Sequence, residues 1–162
     1  MSSSFDSDVG ERVRASFARQ GAMATIGGEL VEVAPGRVAI GLAIEPRLSQ
    51  QHGFLHAGVV TAALDSACGY AAWTLMPGNM EVLTVEFKVN LIAPARGERL
   101  IAVGEIVRGG RTLSVCRGDA FTEGIERLHV ATMLATMIGR PATETSYLDT
   151  GRSPRRGQAR TQ

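Results

Sequence analysis

The sequence predicts an α+β domain: an antiparallel sheet of about six strands wrapped around one long central helix, with a further helix at the N-terminus. Three observations lead there. Residues 59–75 are apolar on almost every side, so as a helix they belong inside a globule rather than on its surface. Six other runs alternate at short period and are divided by Gly and Pro turn signals, as strands are. The connections between the last four runs are short, which favours antiparallel neighbours. An all-round apolar helix needs a wrapper, and one curled sheet supplies it.

Taken in order, residues 5–20 place Val9, Val13 and Phe17 near helical spacing, with Gly21 as a stop. Residues 22–34 and 37–44 alternate around Pro35-Gly36 and predict a hairpin whose second strand ends at Pro46. The central helix follows and closes at Pro77-Gly78-Asn79. Strands are then expected over 82–92, 99–108, 112–122 and 125–137, separated by Pro94-Ala95-Arg96-Gly97, Gly109-Gly110 and Glu123-Gly124. Three units result: an N-terminal helix over 1–21, the main domain over 22–138, and an Arg-rich tail over 139–162 expected to be disordered.

A chain of 162 residues with 44% hydrophobic content can bury a core as one domain without staples. Cys68 and Cys116 are too few for a disulfide framework and fit buried apolar positions in a reducing compartment. The N-terminus has neither the basic cap nor the apolar core of a signal peptide, so a cytoplasmic location is expected. The apolar segment is rich in small residues and carries Asp65 at its centre, which argues against a membrane span. A net charge of +1 argues against a general nucleic-acid binder.

Asp65 is the most informative residue, because a carboxylate in the middle of a buried helix is costly unless paired, protonated or kept for chemistry. Its structural alternative is a carboxylate satisfied by Thr61 one turn earlier or by backbone donors. The preceding stretch, His52-Gly53-Phe54-Leu55-His56-Ala57-Gly58-Val59-Val60, leads into Leu64-Asp65-Ser66-Ala67-Cys68-Gly69-Tyr70. With Thr84-Val85-Glu86-Phe87-Lys88-Val89-Asn90 and Gly109-Gly110-Arg111-Thr112-Leu113, it resembles the hotdog-fold acyl-CoA thioesterases of the phenylacetate-degradation type. The resemblance covers roughly residues 22–138.

It implies a hotdog fold and hydrolysis of an acyl-CoA to free acid and CoA, on an acyl group that is aromatic or of medium chain length. The residue matching Asp65 would be nucleophile or general base, and the amide matching Ala57 would polarise the thioester carbonyl. Positions matching Gln50, His56 and Thr84 would place the reacting pieces. This chain has Ala57 where Gly is usual and Gln50 where Asn is usual. Neither change removes the needed amide.

Thioester hydrolysis needs a donor for the developing oxyanion and a group that activates water or attacks the carbonyl. The helix N-terminus offers the amides of Ala57 and Gly58 for the first role, and Asp65 fits the second. Eight residues at 1.5 Å rise separate Ala57 from Asp65 by about 12 Å. One carbonyl cannot touch both at about 3 Å, so the two groups must come from different chains of a homodimer. The resemblance implies the same dimer, or a pair of such dimers.

Arg108 and Arg111, flanking Gly109-Gly110, are the candidate contacts for the CoA phosphates. His52 and His56 lack a third ligand nearby, so no metal and no further cofactor is expected. Phe54, Leu55, Tyr70, Trp73 and Met76 either line the acyl pocket or pack the core. Along residues 84–90 strict alternation puts Thr84 on the same polar face as Glu86, Lys88 and Asn90, away from a buried site. Two other functions fit the same fold: an enoyl-CoA hydratase or dehydratase using His56 with Asp65, and a non-catalytic acyl-CoA sensor.

Overall fold

The structure, a computed structural model, describes residues 4–142. Three helices, α1 (Ser4–Phe17), α2 (Gly21–Ile26) and α3 (Ala57–Trp73), accompany six strands. The strands are β1 (Glu29–Ala34), β2 (Arg37–Ala43), β3 (Met80–Leu91), β4 (Arg99–Gly109), β5 (Leu113–Glu123) and β6 (Leu128–Pro141). They form one antiparallel sheet in the order β1-β2-β4-β5-β6-β3, which leaves β1 and β3 at its edges. The sheet wraps α3, whose Val60, Leu64, Ala67, Cys68 and Ala71 are all buried. This is the hotdog arrangement expected from the sequence.

Two boundaries differ from the sequence reading. Residues 22–26, expected to begin the first strand, form α2 instead. Met23 is buried against the core, and Gly27 at φ 69° ends the helix: its N–H donates to the Ala24 carbonyl and the Gly28 N–H to the Met23 carbonyl. A left-handed residue ends a helix and cannot continue a strand. At the other end β6 runs to Pro141 rather than stopping at 137, because Met80 still pairs with Pro141 and Arg140 bonds Glu81 at 3.0 Å. The rest of the expected tail, residues 143–162, lies outside the described residues.

The helix lies close on the sheet because glycines face it. A Cβ on Gly104 of β4 would meet the Ala67 carbonyl carbon at 2.4 Å and the Cys68 nitrogen at 2.5 Å. Those are backbone atoms that cannot swing aside. Gly104→Ala is therefore expected to lower stability by about 1–3 kcal/mol, read as the urea midpoint at unchanged slope.

Cys68 and Cys116 are both buried and free, as the sequence suggested, and the Cys116 thiol lies 3.5 Å from the Cys68 carbonyl. Burial pushes the Cys116 thiol from 9.0 up to about 11. Cys68 is raised further, by burial first and then by the nearby Cys116, Asp65 and Asp119. In the unfolded chain both thiols ionise near the ordinary value, so above it the unfolded state holds fewer protons. The Cys116 contribution to stability is intact below pH 9.0 and is lost as pH rises through about 11, and the Cys68 contribution goes on falling above that. Urea unfolding at stepped alkaline pH should show that fall, and Ellman's reagent should find both thiols silent until the protein unfolds.

Candidate active site

Asp65 occupies the middle of α3 and is partly exposed rather than sealed in the core. Its Oδ1 accepts a 2.7 Å hydrogen bond from the Thr84 hydroxyl, which orients the carboxylate. Thr61, the residue that would satisfy a merely structural Asp65, donates to the Ala57 carbonyl instead at 2.8 Å. The carboxylate opens into a chamber of about 610 Å3 between α1, α3 and the start of β3.

Thr84 reaches Asp65 because β3 does not alternate strictly. Thr84 pairs with Met137 and Glu86 with Thr136, so Val85 is an extra residue and the register shifts at a β-bulge. Met137 is buried on the helix side of β6, and Thr84 opposite it shares that side. Glu86, beyond the bulge, bonds the outward Thr136 at 2.6 Å. The expected common face of Thr84 and Glu86 is thus broken, as bulges re-aim side chains.

At the N-terminus of α3, His56 is the N-cap, with extended backbone at φ −63°, ψ 134°. Its Nδ1 accepts from the Gly58 N–H at 2.9 Å, which puts the proton of the neutral ring on Nε2. The expected pair of oxyanion donors is reduced by this contact: the Gly58 amide is engaged by His56. The Ala57 N–H donates to no atom among the described residues. It borders a second cleft of about 340 Å3, lined by Gln50, Phe54, Leu55, Leu91 and Ile92 among others. Gln50 also accepts from the His52 N–H, so its carbonyl end is held by its own turn.

Asp65 with Thr84 and Ala57 with Gln50 therefore open into different clefts of one chain. Of the pocket candidates, Phe54 and Leu55 line the Ala57 cleft, Tyr70 and Trp73 line the Asp65 chamber, and Met76 packs against the core. Arg108 and Arg111 are exposed at the β4–β5 turn and line neither. His129 pairs with Asp119 at 3.0 Å on another part of the sheet, remote from His52 and His56 in the chain.

One wall of the chamber was not visible in the sequence. Gln20 Nε2 donates to the Tyr70 hydroxyl at 3.0 Å, that hydroxyl donates to Ser16 at 3.2 Å, and Ser66 donates to Gln20 Oε1 at 3.3 Å. Ser16 of α1 and Gln20, which precedes α2, thereby close the chamber beside Asp65. Its partners stand some fifty positions apart, and only the fold brings them together.

Residues 52–129 match the model of the thioesterase superfamily. A medium/long-chain acyl-CoA thioesterase, YigI of Escherichia coli, is 30% identical over 52% of this chain, and the match spans 63% of that relative's length. A thioesterase family protein from Silicibacter pomeroyi has a crystal structure 48% identical to this chain, covering 83% of this chain and 99% of its own, with a TM-score of 0.81. The PaaI protein of the Escherichia coli phenylacetic acid degradation operon, at 13% identity and TM-score 0.77 over 86% of this chain and 99% of its own, shares the fold. With the wrapped helix, the match over residues 52–129 and a 48% identical relative covered almost end to end, this chain belongs to the hotdog-type thioesterase superfamily.

Proposed function

We propose that the protein hydrolyses acyl-CoA thioesters to the free acid and CoA, at two sites that each combine Asp65 and Thr84 of one subunit with Ala57 and Gln50 of a second copy. The observation that carries this reading is the separation of the two half-sites into different clefts. β3, by its position, supports the joining of two copies. It lines the Asp65 chamber at its start, with Met80 to Thr84, and the Ala57 cleft at its end, with Leu91. It is also an edge strand with Leu83, Val85, Phe87 and Leu91 exposed, apolar side chains that a free edge ordinarily avoids. Antiparallel pairing of two β3 strands about a two-fold axis near Phe87 and Lys88 would set Thr84 of one opposite Leu91 of the other.

In such a site the thioester oxygen takes the Ala57 N–H, and the positive end of α3 favours the charge that develops there. Asp65 accepts a proton from water as the water oxygen attacks the carbonyl carbon, or its own oxygen attacks to give an anhydride that water opens. In either route the C–S bond breaks and the CoA thiolate leaves to be protonated. No metal or redox group enters this chemistry. Because Nδ1 of His56 holds the helix cap and Nε2 carries the proton, His56 presents no free basic nitrogen for the hydratase reaction.

We take the acyl group to be aromatic or of medium chain length; in support, YigI is named for medium- and long-chain acyl-CoA thioesters. Thiol release from a panel of aromatic and aliphatic acyl-CoAs, run beside loss of the conjugated double bond of an enoyl-CoA, tests the reading. Thiol release alone is the expected result. Enoyl consumption would make it a hydratase, and binding without turnover a sensor.

A further inference from the structure

We propose that Arg96, seated on the ring of Phe54 beside the Ala57 cleft, binds a phosphate group of coenzyme A, and that the phosphate contact lies here rather than on the β4–β5 turn. The inference rests on the acyl-CoA reading above and adds to it the residue that meets the nucleotide end. Three observations support it.

The first is position. The Arg96 guanidinium stands 5.3 Å from the Phe54 ring centroid, and Phe54 lines the cleft together with Pro94, Ala95 and Ala57. Leu55, two residues before the oxyanion amide, donates its N–H to the Ala95 carbonyl at 2.9 Å. The loop carrying Arg96 is thereby tied to the start of α3. The second is rigidity. Ala95 is buried, and Gly97 takes φ +134° where a Cβ would meet the Glu123 carbonyl oxygen at 2.6 Å. The backbone of Arg96 is thus held on both sides, by buried Ala95 and by a Gly97 conformation that favours glycine.

The third is charge. Arg37, Arg47, Arg99, Arg117 and Arg140 all pair with carboxylates, whereas Arg96 pairs with none among the described residues. A guanidinium stacked by one face on an aromatic ring keeps its edge donors free, in the fork that suits phosphate oxygens. Arg108 and Arg111 have charge but line neither the Asp65 chamber nor the Ala57 cleft, and no residue flanking them does.

The test compares a CoA thioester with the pantetheine thioester of the same acyl group, which lacks every phosphate. Arg96→Ala should raise KM for the CoA ester by about 10-fold with kcat little changed, and leave the pantetheine ester unaffected. Arg96→Lys should recover part of the loss, since it keeps the charge without the fork. A 3′-dephospho-CoA ester assigns the phosphate: if the loss disappears, Arg96 meets the 3′-phosphate, and if it persists, the pyrophosphate. Arg127→Ala removes an equivalent stack, Arg127 on Phe121 at 4.3 Å, away from both clefts and should change neither KM. An equal rise for both esters, or none for the CoA ester, overturns the proposal. Should the wild type hydrolyse neither ester, titration calorimetry with free CoA still decides. Binding weakened about 10-fold by Arg96→Ala keeps the phosphate contact while the thioesterase reading falls; equal binding, or none, ends both.

Discussion

Asp65→Asn is expected to lower acyl-CoA hydrolysis by about 100-fold or more, roughly 2.7 kcal/mol of transition-state stabilisation. The substitution keeps the size of the side chain and an oxygen that can still accept from Thr84, so the local structure is retained. What it removes is a carboxylate able to take a proton or to form a bond to carbon. The partial exposure of Asp65 and its place on the wall of a chamber separate it from a buried structural carboxylate. A structural Asp65 would show its loss mainly as a lower urea midpoint; a catalytic one shows it in kcat at nearly unchanged stability. Residual activity within tenfold of wild type, with the variant still folded, would remove Asp65 from the chemistry. After a single turnover in 18O-labelled water, label in the Asp65 side chain identifies direct attack, because only an anhydride opened by water at the Asp65 carbon places solvent oxygen there, whereas general-base catalysis labels the released acid alone.

Much of this site was legible because helix geometry is rigid. Once residues 57–73 are helical, the distance from Ala57 to Asp65 follows from the rise per residue, and with it the argument for the two-chain site proposed above. The strands were legible where Gly and Pro mark their ends, at Pro35-Gly36, Pro94 to Gly97 and Gly109-Gly110. What escaped was set by partners distant in sequence. The bulge at Val85 exists because Thr84 and Glu86 pair with adjacent residues of β6, and nothing in the residue types around Val85 demands it. Residues 22–26 alternate as a strand does, yet they form a short helix that the left-handed Gly27 ends. Gly58 looked as available as Ala57 until the His56 ring was seen to occupy its N–H.

The composite arrangement makes a sharper demand: two inactive variants should restore each other. Ala57→Pro deletes the one N–H assigned to the oxyanion and little else. Ala57 is the first residue of α3, where a helix tolerates proline, and His56 before it already has the extended backbone that a following proline requires. The variant should fold normally and lose hydrolysis by about 10²–10³-fold, the effect of removing one oxyanion donor. Asp65→Asn is defective in the other half-site. A dimer of one Ala57→Pro chain and one Asp65→Asn chain has one site with both defects and one with neither. Equal co-expression makes about half the dimers mixed, so activity should return to about a quarter of wild type, far above either variant alone. If each site lay within a single chain, every site in the mixture would carry a defect and activity would stay at the level of the parents. That result would dissolve the dimeric site, and with it the reason for two clefts on each chain.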